Sequence, residues 1–499
     1  MHNFLDDIEN LAISQPDRCA IVLGLEEISF GTLWESIETV SNNAIRLGYR
    51  PGDSFIFASK PTPRTIAMAL GLTRAGLKLA FIDPFTATAS FPVRVALIGP
   101  KFVLAESRLL AIGSRKTGWL RKLLKIVIAD YGSIPSADFF YTGPRLPFLP
   151  KGSKNAMADF YRPVAEFSKP RRIENSDSII VFTSGTTADP KGVVHSLETI
   201  SANFSQTAKI FDFKVGDRVL CEAMTVGLVA VSAGATWIIP DGKRNPSFNK
   251  YFAVPTDAIK LLKGMESESA IENQIEYFGM GGAPIPPSLV NRVIEVVGDQ
   301  AKIVCIYGMT EILPVAYCDG REKLVPRAGD FLGKPLEGVE LRLAADQELE
   351  VRGPGLMKNY LGRKSAVWHP TGDLAKIDEH GNILMLSRKK NMLIRGDMNV
   401  YPSLYEPGLT TIPGVADAVI VGVPDEYGDD RIALFILPKA DEPNHEELRK
   451  RVRARLPEFV DQQALPDILI ILETMPVTGR GQKRDMAKLV EMATERLAP

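Results

Sequence analysis

The segment Val181-Phe-Thr-Ser-Gly-Thr-Thr-Ala-Asp-Pro-Lys-Gly-Val-Val194 crowds hydroxyls around a glycine and ends on a lysine. Its donors are the hydroxyls of Thr183, Ser184, Thr186 and Thr187, the backbone N–H groups around Gly185, and the Lys191 ammonium. Convergent donors and backbone nests neutralise anionic oxygens, so this composition suits a polyphosphate. It is not the Gly-Lys-Ser/Thr loop that opens a helix, because the order here is Pro190-Lys191-Gly192. Taken alone, the segment also fits a polar hairpin that binds nothing. The apolar residues at either end predict strand, loop, strand.

The elements that position such a loop follow from the rest of the chain. With 499 residues, two or three domains are expected. Residues 30–47 read as an amphipathic helix, 54–58 as a strand, 65–75 as a helix and 77–82 as a strand. This alternation implies α/β layers around a largely parallel sheet. Residues 133–174, rich in Pro, Ser, Gly and Lys, read as a long irregular connection, and 348–351 and 383–386 as strands of a smaller β-rich piece. Composition shifts at Ser387-Arg-Lys-Lys390, after which strands at 415–423, 432–437 and 468–472 and a helix at 445–456 suggest a separate α+β unit. The uncharged stretch 223–240 is predicted to be buried strand, helix and strand rather than a membrane span.

Net charge is −1, with no basic excess to attract nucleic acid. The basic run from Arg115 to Lys125 reads as a solvated helix face. The four cysteines and five histidines are dispersed without metal-ligand spacing, which predicts buried thiols in a reducing cytoplasm. His195, just after the loop, has no acid or nucleophile beside it in sequence and reads as structural. The acidic start of the chain lacks an apolar signal core.

The 183–192 loop resembles the phosphate-binding motif of the adenylate-forming superfamily, which includes acyl-CoA synthetases, peptide-synthetase adenylation domains and luciferases. Five further motifs resemble that family in its order: Gly281-Gly282-Ala283-Pro284, Tyr307-Gly308-Met309-Thr310-Glu311, Thr371-Gly-Asp-Leu374, the hinge region from Arg388 to Pro402, and Pro476 to Leu489. The resemblance implies an α/β fold with a large N-terminal domain of layered subdomains (1–386), a hinge (387–390) and a mobile C-terminal α+β domain (391–499). It implies an acid–thiol ligase of the acyl-acid branch, which joins a carboxylate to the α-phosphate of ATP and then passes the acyl group to CoA or a carrier-protein thiol.

On that resemblance, Thr183, Ser184, Gly185, Thr186, Thr187 and Lys191 would hold the β- and γ-phosphates. Glu311 would bind Mg²⁺, and Thr310 would contact the α-phosphate. Gly281 to Pro284, Tyr307 and Gly308 would line the adenine, and Asp373 with Arg388 would hold the ribose. Lys483 would bridge carboxylate and α-phosphate, and Lys390 would be the pivot. The acid pocket would use Met224, Thr225, Gly227, Leu228, Gly281 and Met309, whose mostly small or apolar character suits an alkyl or aryl acid.

Three departures stand out. Ala188 replaces a glycine of the loop. One extra residue separates Gly481 from Lys483. In the thiol-tunnel motif, Asp397 follows Gly396 where many CoA ligases have a second glycine. The run Ile312-Leu-Pro-Val315 also resembles β-lactone synthetases acting on 3-hydroxy acids. A homologue that binds nucleotide without turnover is a further alternative, motivated by Ala188 and Asp397. Expected partners are a small carboxylic acid and an acyl carrier protein as one acceptor option, with no nucleic acid and no stable membrane insertion.

Overall fold

The computed structural model describes residues 3–82, 91–114, 117–118, 129–165, 167, 176–182, 191–242, 247–267, 275–389, 392–395, 398–400, 402–424, 430–460, 464–478 and 483–497. The elements that carry candidate residues are β1 (Asp177–Phe182), β2 (Gly192–Ser196), α1 (Leu197–Phe211), α2 (Met224–Ser232), β3 (Tyr277–Gly281), β4 (Lys302–Met309), β5 (Ile312–Asp319), β6 (Glu348–Arg352), β7 (Asn359–Tyr360), β8 (His369–Ile377), β9 (Ile383–Arg388), β10 (Val477–Thr478) and β11 (Lys483–Arg484).

Two large sheets build the N-terminal part. In one, Ser54–Ala58, Lys78–Phe81, Phe102–Glu106, Asp138–Thr142 and β1 run parallel, and β1 pairs antiparallel with β2. The segments at 177–182 and 192–196 therefore form the strands expected on either side of the hydroxyl-rich loop. The other sheet has a parallel centre formed by Cys19–Leu23, Thr236–Ile239, Arg218–Cys221, Lys250–Ala253, β3 and β4. It continues antiparallel through β5, Asp330–Pro335, β9, β8 and β6. The β-rich piece expected at 348–351 and 383–386 is thus hydrogen-bonded into the same sheet as β4.

Helices Phe30–Arg46, Pro63–Arg74, α1 and α2 pack into a core cluster that includes Phe30, Ile66, Phe204, Val229 and Trp237. Burying such apolar faces is the main favourable term. Local chemistry sets the helix starts. Pro63 occupies the first turn after the Thr62 cap, where its missing N–H costs nothing. Ser196 and Thr199 form a reciprocal capping box on α1.

The 133–174 stretch is more ordered than expected. Asp138-Phe-Phe-Tyr-Thr142 is a strand, and Phe140 is fully buried against the rings of Phe102 and Phe160. The polar neighbours disguised a short aromatic run of high strand propensity. The 223–240 stretch forms helix α2 and the strand Thr236–Ile239, preceded by the strand Arg218–Cys221. No helix among the described residues is long and apolar enough to cross a membrane.

The smaller C-terminal domain is α+β. Val415–Pro424 and Asp430–Pro438 pair antiparallel, and Ile468–Ile471 joins in parallel. Helix His445–Phe459 packs on one face and Met486–Leu497 on the other. The buried apolar clusters of this domain contain residues from Leu393 onward, and those of the large domain end at Met385. Ser403 donates a hydrogen bond to the Leu386 carbonyl across that divide.

Candidate active site

Asp373 lies on β8 directly opposite Arg388 on β9. Its side chain is fully buried. Tyr307 at the end of β4 donates its hydroxyl to Asp373 Oδ2 at 2.6 Å. Arg388 Nε lies 2.6 Å from Oδ1 as an ion pair without hydrogen-bond alignment, which leaves Oδ1 an unfilled acceptor direction. The turn is fixed by Thr371, whose Oγ1 donates to the Leu349 carbonyl and accepts the Asp373 N–H. Burial pushes the Asp373 carboxyl above its ordinary value of 3.8, against the pull of Arg388 and Tyr307. Burial and then Asp373 push the Tyr307 hydroxyl well up. A buried carboxylate with a free acceptor direction suits a pair of sugar hydroxyls.

Thr310 and Glu311 form the two-residue connection between β4 and β5, with Met309 opposite Ile312. The chain closes tightly there: a Cβ on Gly308 would come 2.7 Å from Leu313 Cδ1. His195 on β2 holds this turn. Its Nε2 lies 2.9 Å from the Thr310 carbonyl and its Nδ1 3.0 Å from Thr199 Oγ1. Burial pulls His195 below its ordinary 6.5, more than Thr310 and Glu311 raise it. A neutral ring donating from Nε2 satisfies both contacts. The structural reading of His195 therefore gains a specific task.

The Glu311 carboxylate is 9% exposed. Among the described residues, its hydrogen-bond partner is the Tyr360 hydroxyl, which donates to Oε1 at 2.6 Å. Lys191 Nζ stands 5.2 Å from the centre of the Tyr360 ring, so the loop lysine and the hairpin carboxylate share one aromatic neighbour. No cluster of three or more metal-ligating side chains occurs among the described residues. The single nearly buried Glu311, whose aromatic neighbour also meets Lys191, nonetheless fits Mg²⁺, which takes one or two carboxylates and completes its shell with phosphate and water. Thr183, Ser184, Gly185, Thr186 and Thr187 lie outside the described residues.

Gly281 ends β3 beside Ile306 of β4, and Gly282 follows with φ +77°. That left-handed backbone favours glycine, and the strand gives way there to the connection that carries Ala283 and Pro284. In the expected acid pocket, Met224 and Leu228 are half-buried, Thr225 is exposed and Met309 is half-buried at the mouth of the hairpin. Gly227 requires a correction. A Cβ there would stand 2.1 Å from the Trp237 ring, so the room expected for an alkyl chain is filled by protein. The ring is itself pinned by its Nε1–H to the Cys221 carbonyl at 2.9 Å. Gly227→Ala should therefore destabilise the fold by about 1–3 kcal/mol through overpacking. An unchanged urea midpoint would refute this.

The C-terminal candidates are partly described. In the β10–β11 hairpin, Lys483 pairs with Thr478 and Arg484 with Val477. Arg484 is tied to Glu406 Oε2 at 3.0 Å and to Asp417, so the backbone carrying Lys483 is anchored to the domain. The side chain of Lys483, and Lys390, Gly396 and Asp397 entirely, lie outside the described residues.

Two contributors escaped sequence reasoning. One is Tyr360. The other is Glu348 on β6, whose Oε1 accepts the Gly372 N–H at 3.0 Å and whose Oε2 lies 2.7 Å from Lys389 Nζ. Lys389 also pairs with Asp346 at 2.6 Å. No local motif marks either residue.

Residues 8–361 match the family model for the AMP-binding enzyme, and residues 405–482 match that for the AMP-binding enzyme C-terminal domain. The chain is 24% identical to a mitochondrial medium-chain acyl-CoA ligase of Mus musculus, over 95% of this chain and 85% of the relative. It is 27% identical to a methyl-dioxo-octahydro-indenyl-propanoyl:CoA ligase of Mycobacterium tuberculosis, over 84% of this chain and 85% of that one. Among solved structures, an amide bond synthetase from Marinactinospora thermotolerans superposes with a TM-score of 0.79 at 20% identity, covering 98% of this chain and 99% of that chain. The o-succinylbenzoate CoA synthetase of Bacillus subtilis gives a TM-score of 0.75 at 20% identity, covering 98% of both chains.

Proposed function

The chain belongs to the AMP-binding enzyme family, and from that premise we propose that it activates a hydrophobic carboxylic acid as an acyl-adenylate, releases pyrophosphate from ATP and transfers the acyl group to a thiol. The observation that carries this reading is the Tyr307–Asp373–Arg388 triangle set beside the Thr310–Glu311 turn. A sugar-hydroxyl acceptor, an aromatic wall and a metal-type carboxylate stand together, as a nucleotide requires. The curated relatives with CoA ligase in their names support the acid–thiol chemistry.

In this reading Asp373 accepts the ribose hydroxyls and Tyr307 flanks the adenine with Gly281, Gly282, Ala283 and Pro284. Lys191 and the 183–187 loop neutralise the β- and γ-phosphates, and Thr310 contacts the α-phosphate. Mg²⁺ bound at Glu311 would supply charge neutralisation between phosphate oxygens. The carboxylate oxygen attacks the α-phosphorus in line as the bond to pyrophosphate breaks. Lys483 stabilises the charge shared by the two anions in that transition state. Lys390 serves as the pivot that exchanges Lys483 for a thiol path at Gly396 and Asp397. The acid lies between Met224, Leu228 and Met309.

The β-lactone alternative is weaker. Ile312 and Val315 are fully buried in the core beneath the hairpin, so packing accounts for their identity. The acceptor is decided by experiment. Pyrophosphate release is followed with alkyl, aryl and 3-hydroxy acids, with and without CoA, and products are weighed by mass spectrometry. Acid-dependent release with a CoA thioester supports the full reading. Release indifferent to CoA moves the acceptor to a carrier protein, and a lactone from 3-hydroxy acids favours the alternative. Tight ATP binding with no release for any acid would sink the catalytic reading.

A further inference from the structure

We infer that Tyr360 is a positioning residue that holds the Glu311 carboxylate in its metal-binding orientation and keeps it apart from Lys191. The inference rests on the adenylation reading above and adds to it a residue that no motif assigned.

The segment 357–361 works as a strap between the two halves of the phosphate site. The Met357 N–H donates to the Glu311 carbonyl at 2.7 Å, which ties the strap to the hairpin turn. The Lys358 N–H donates to the Val194 carbonyl at 2.9 Å and the Leu361 N–H to the Gly192 carbonyl at 2.7 Å, which ties it to β2. Between these bonds, β7 places Tyr360 opposite Val193. Lys358 Nζ adds an ion pair to Asp177 on β1 at 2.8 Å. The tyrosine backbone is therefore fixed to the strands that lead into and out of the hydroxyl-rich loop.

The side chain has two faces with different tasks. Its hydroxyl donates to Glu311 Oε1 at 2.6 Å, a charge-assisted bond that is short and strong. This removes the rotational freedom of the carboxylate and leaves Oε2 as the presented oxygen. The ring meets Lys191 Nζ at 5.2 Å, within the range of cation–π attraction. His369 supports the ring at 6.0 Å in an edge arrangement. Opposite charges that share one aromatic neighbour would otherwise be drawn toward a direct ion pair. Such a pair would have to be broken before polyphosphate and its cation could enter. A neutral phenol that contacts each of them satisfies both charges without joining them.

The test separates hydroxyl from ring in the full-length protein. Mn²⁺ serves as the probe, and its free concentration is read by electron paramagnetic resonance in the presence of ATP. Tyr360→Phe should weaken Mn²⁺ binding to the enzyme–ATP complex by about 10-fold, the low end of the effect of losing an outer-shell partner. ATP binding measured in EDTA should not change. Tyr360→Leu should weaken metal-free ATP binding as well, because Lys191 loses its aromatic neighbour. In a Glu311→Ala background, Tyr360→Phe should have no further effect on Mn²⁺ binding. A merely structural tyrosine would not show that non-additivity. Equal Mn²⁺ affinity in wild type and Tyr360→Phe, with both binding ATP, overturns the inference alone. A wild-type protein that binds no ATP overturns the adenylation reading together with it.

Discussion

Lys483→Ala should lower acid-dependent pyrophosphate release by about 10²–10³-fold, the effect of removing one preorganised transition-state donor, and leave ATP affinity unchanged. The two expectations come from different parts of the molecule. The nucleotide contacts proposed for Tyr307, Asp373 and Arg388 lie on strands of the large domain. Lys483 lies on a hairpin of the small domain, held by its pairing with Thr478 and by the ties of Arg484 to Glu406 and Asp417. A ground-state binding residue would raise KM for ATP; a residue engaged only in the transition state lowers kcat and kcat/KM alike. Transfer to thiol from a chemically prepared acyl-adenylate should survive the substitution, since that half-reaction does not join acid to phosphate. Lys488→Ala is the matched control, an exposed lysine paired with Glu491 on the following helix. Full activity in Lys483→Ala would remove this lysine from the mechanism and direct attention to the extra residue before it.

Asp373→Asn should weaken AMP and ATP binding by about 10- to 100-fold, because hydrogen bonds to a charged acceptor contribute about 1.5–3 kcal/mol. The amide retains the size of the side chain and can accept the Tyr307 hydroxyl, so the fold is preserved while the charge is lost. The pH dependence sharpens the test. Burial raises the folded-state pKa of Asp373 above 3.8, and Arg388 only partly offsets it. The folded chain therefore takes up this proton at higher pH than the unfolded chain does. The stability linked to this group is fully present below pH 3.8 and lost as pH rises through the raised value. Nucleotide binding runs the other way, since only the ionised form accepts two hydroxyls. Wild-type AMP affinity should fall as pH drops through the raised pKa, and Asp373→Asn should flatten that limb. Calorimetric titration of AMP at several pH values checks both. Matching affinities in the two proteins at neutral pH would contradict the ribose assignment.

Much of the candidate site is legible in the sequence because its residues announce themselves locally. Tyr307, Thr310 and Glu311 sit within five positions, and Asp373 lies in a Thr-Gly-Asp turn whose hydroxyl–amide bond is itself local. The apolar flanks of the hydroxyl-rich loop were readable as strands β1 and β2 for the same reason. Tyr360 was not legible, because its meaning comes from pairing with Val193 and bonding to Glu311, residues distant in sequence. His195 belongs to the same class: its ring reaches a carbonyl 115 positions away. Gly227 shows the converse error. A small residue reads as space in one dimension, and only the fold reveals that Trp237 occupies it.

The separate buried clusters on either side of residues 386–392 have a consequence for how the chain opens. The core that holds the small domain's sheet is distinct from the core under Tyr307, and the two sides meet where helix Pro402–Leu409 packs against β9, so a destabilising substitution in the former should loosen the small domain first. Amide hydrogen exchange should then find the strands around Tyr307 still protected while those at 415–438 open.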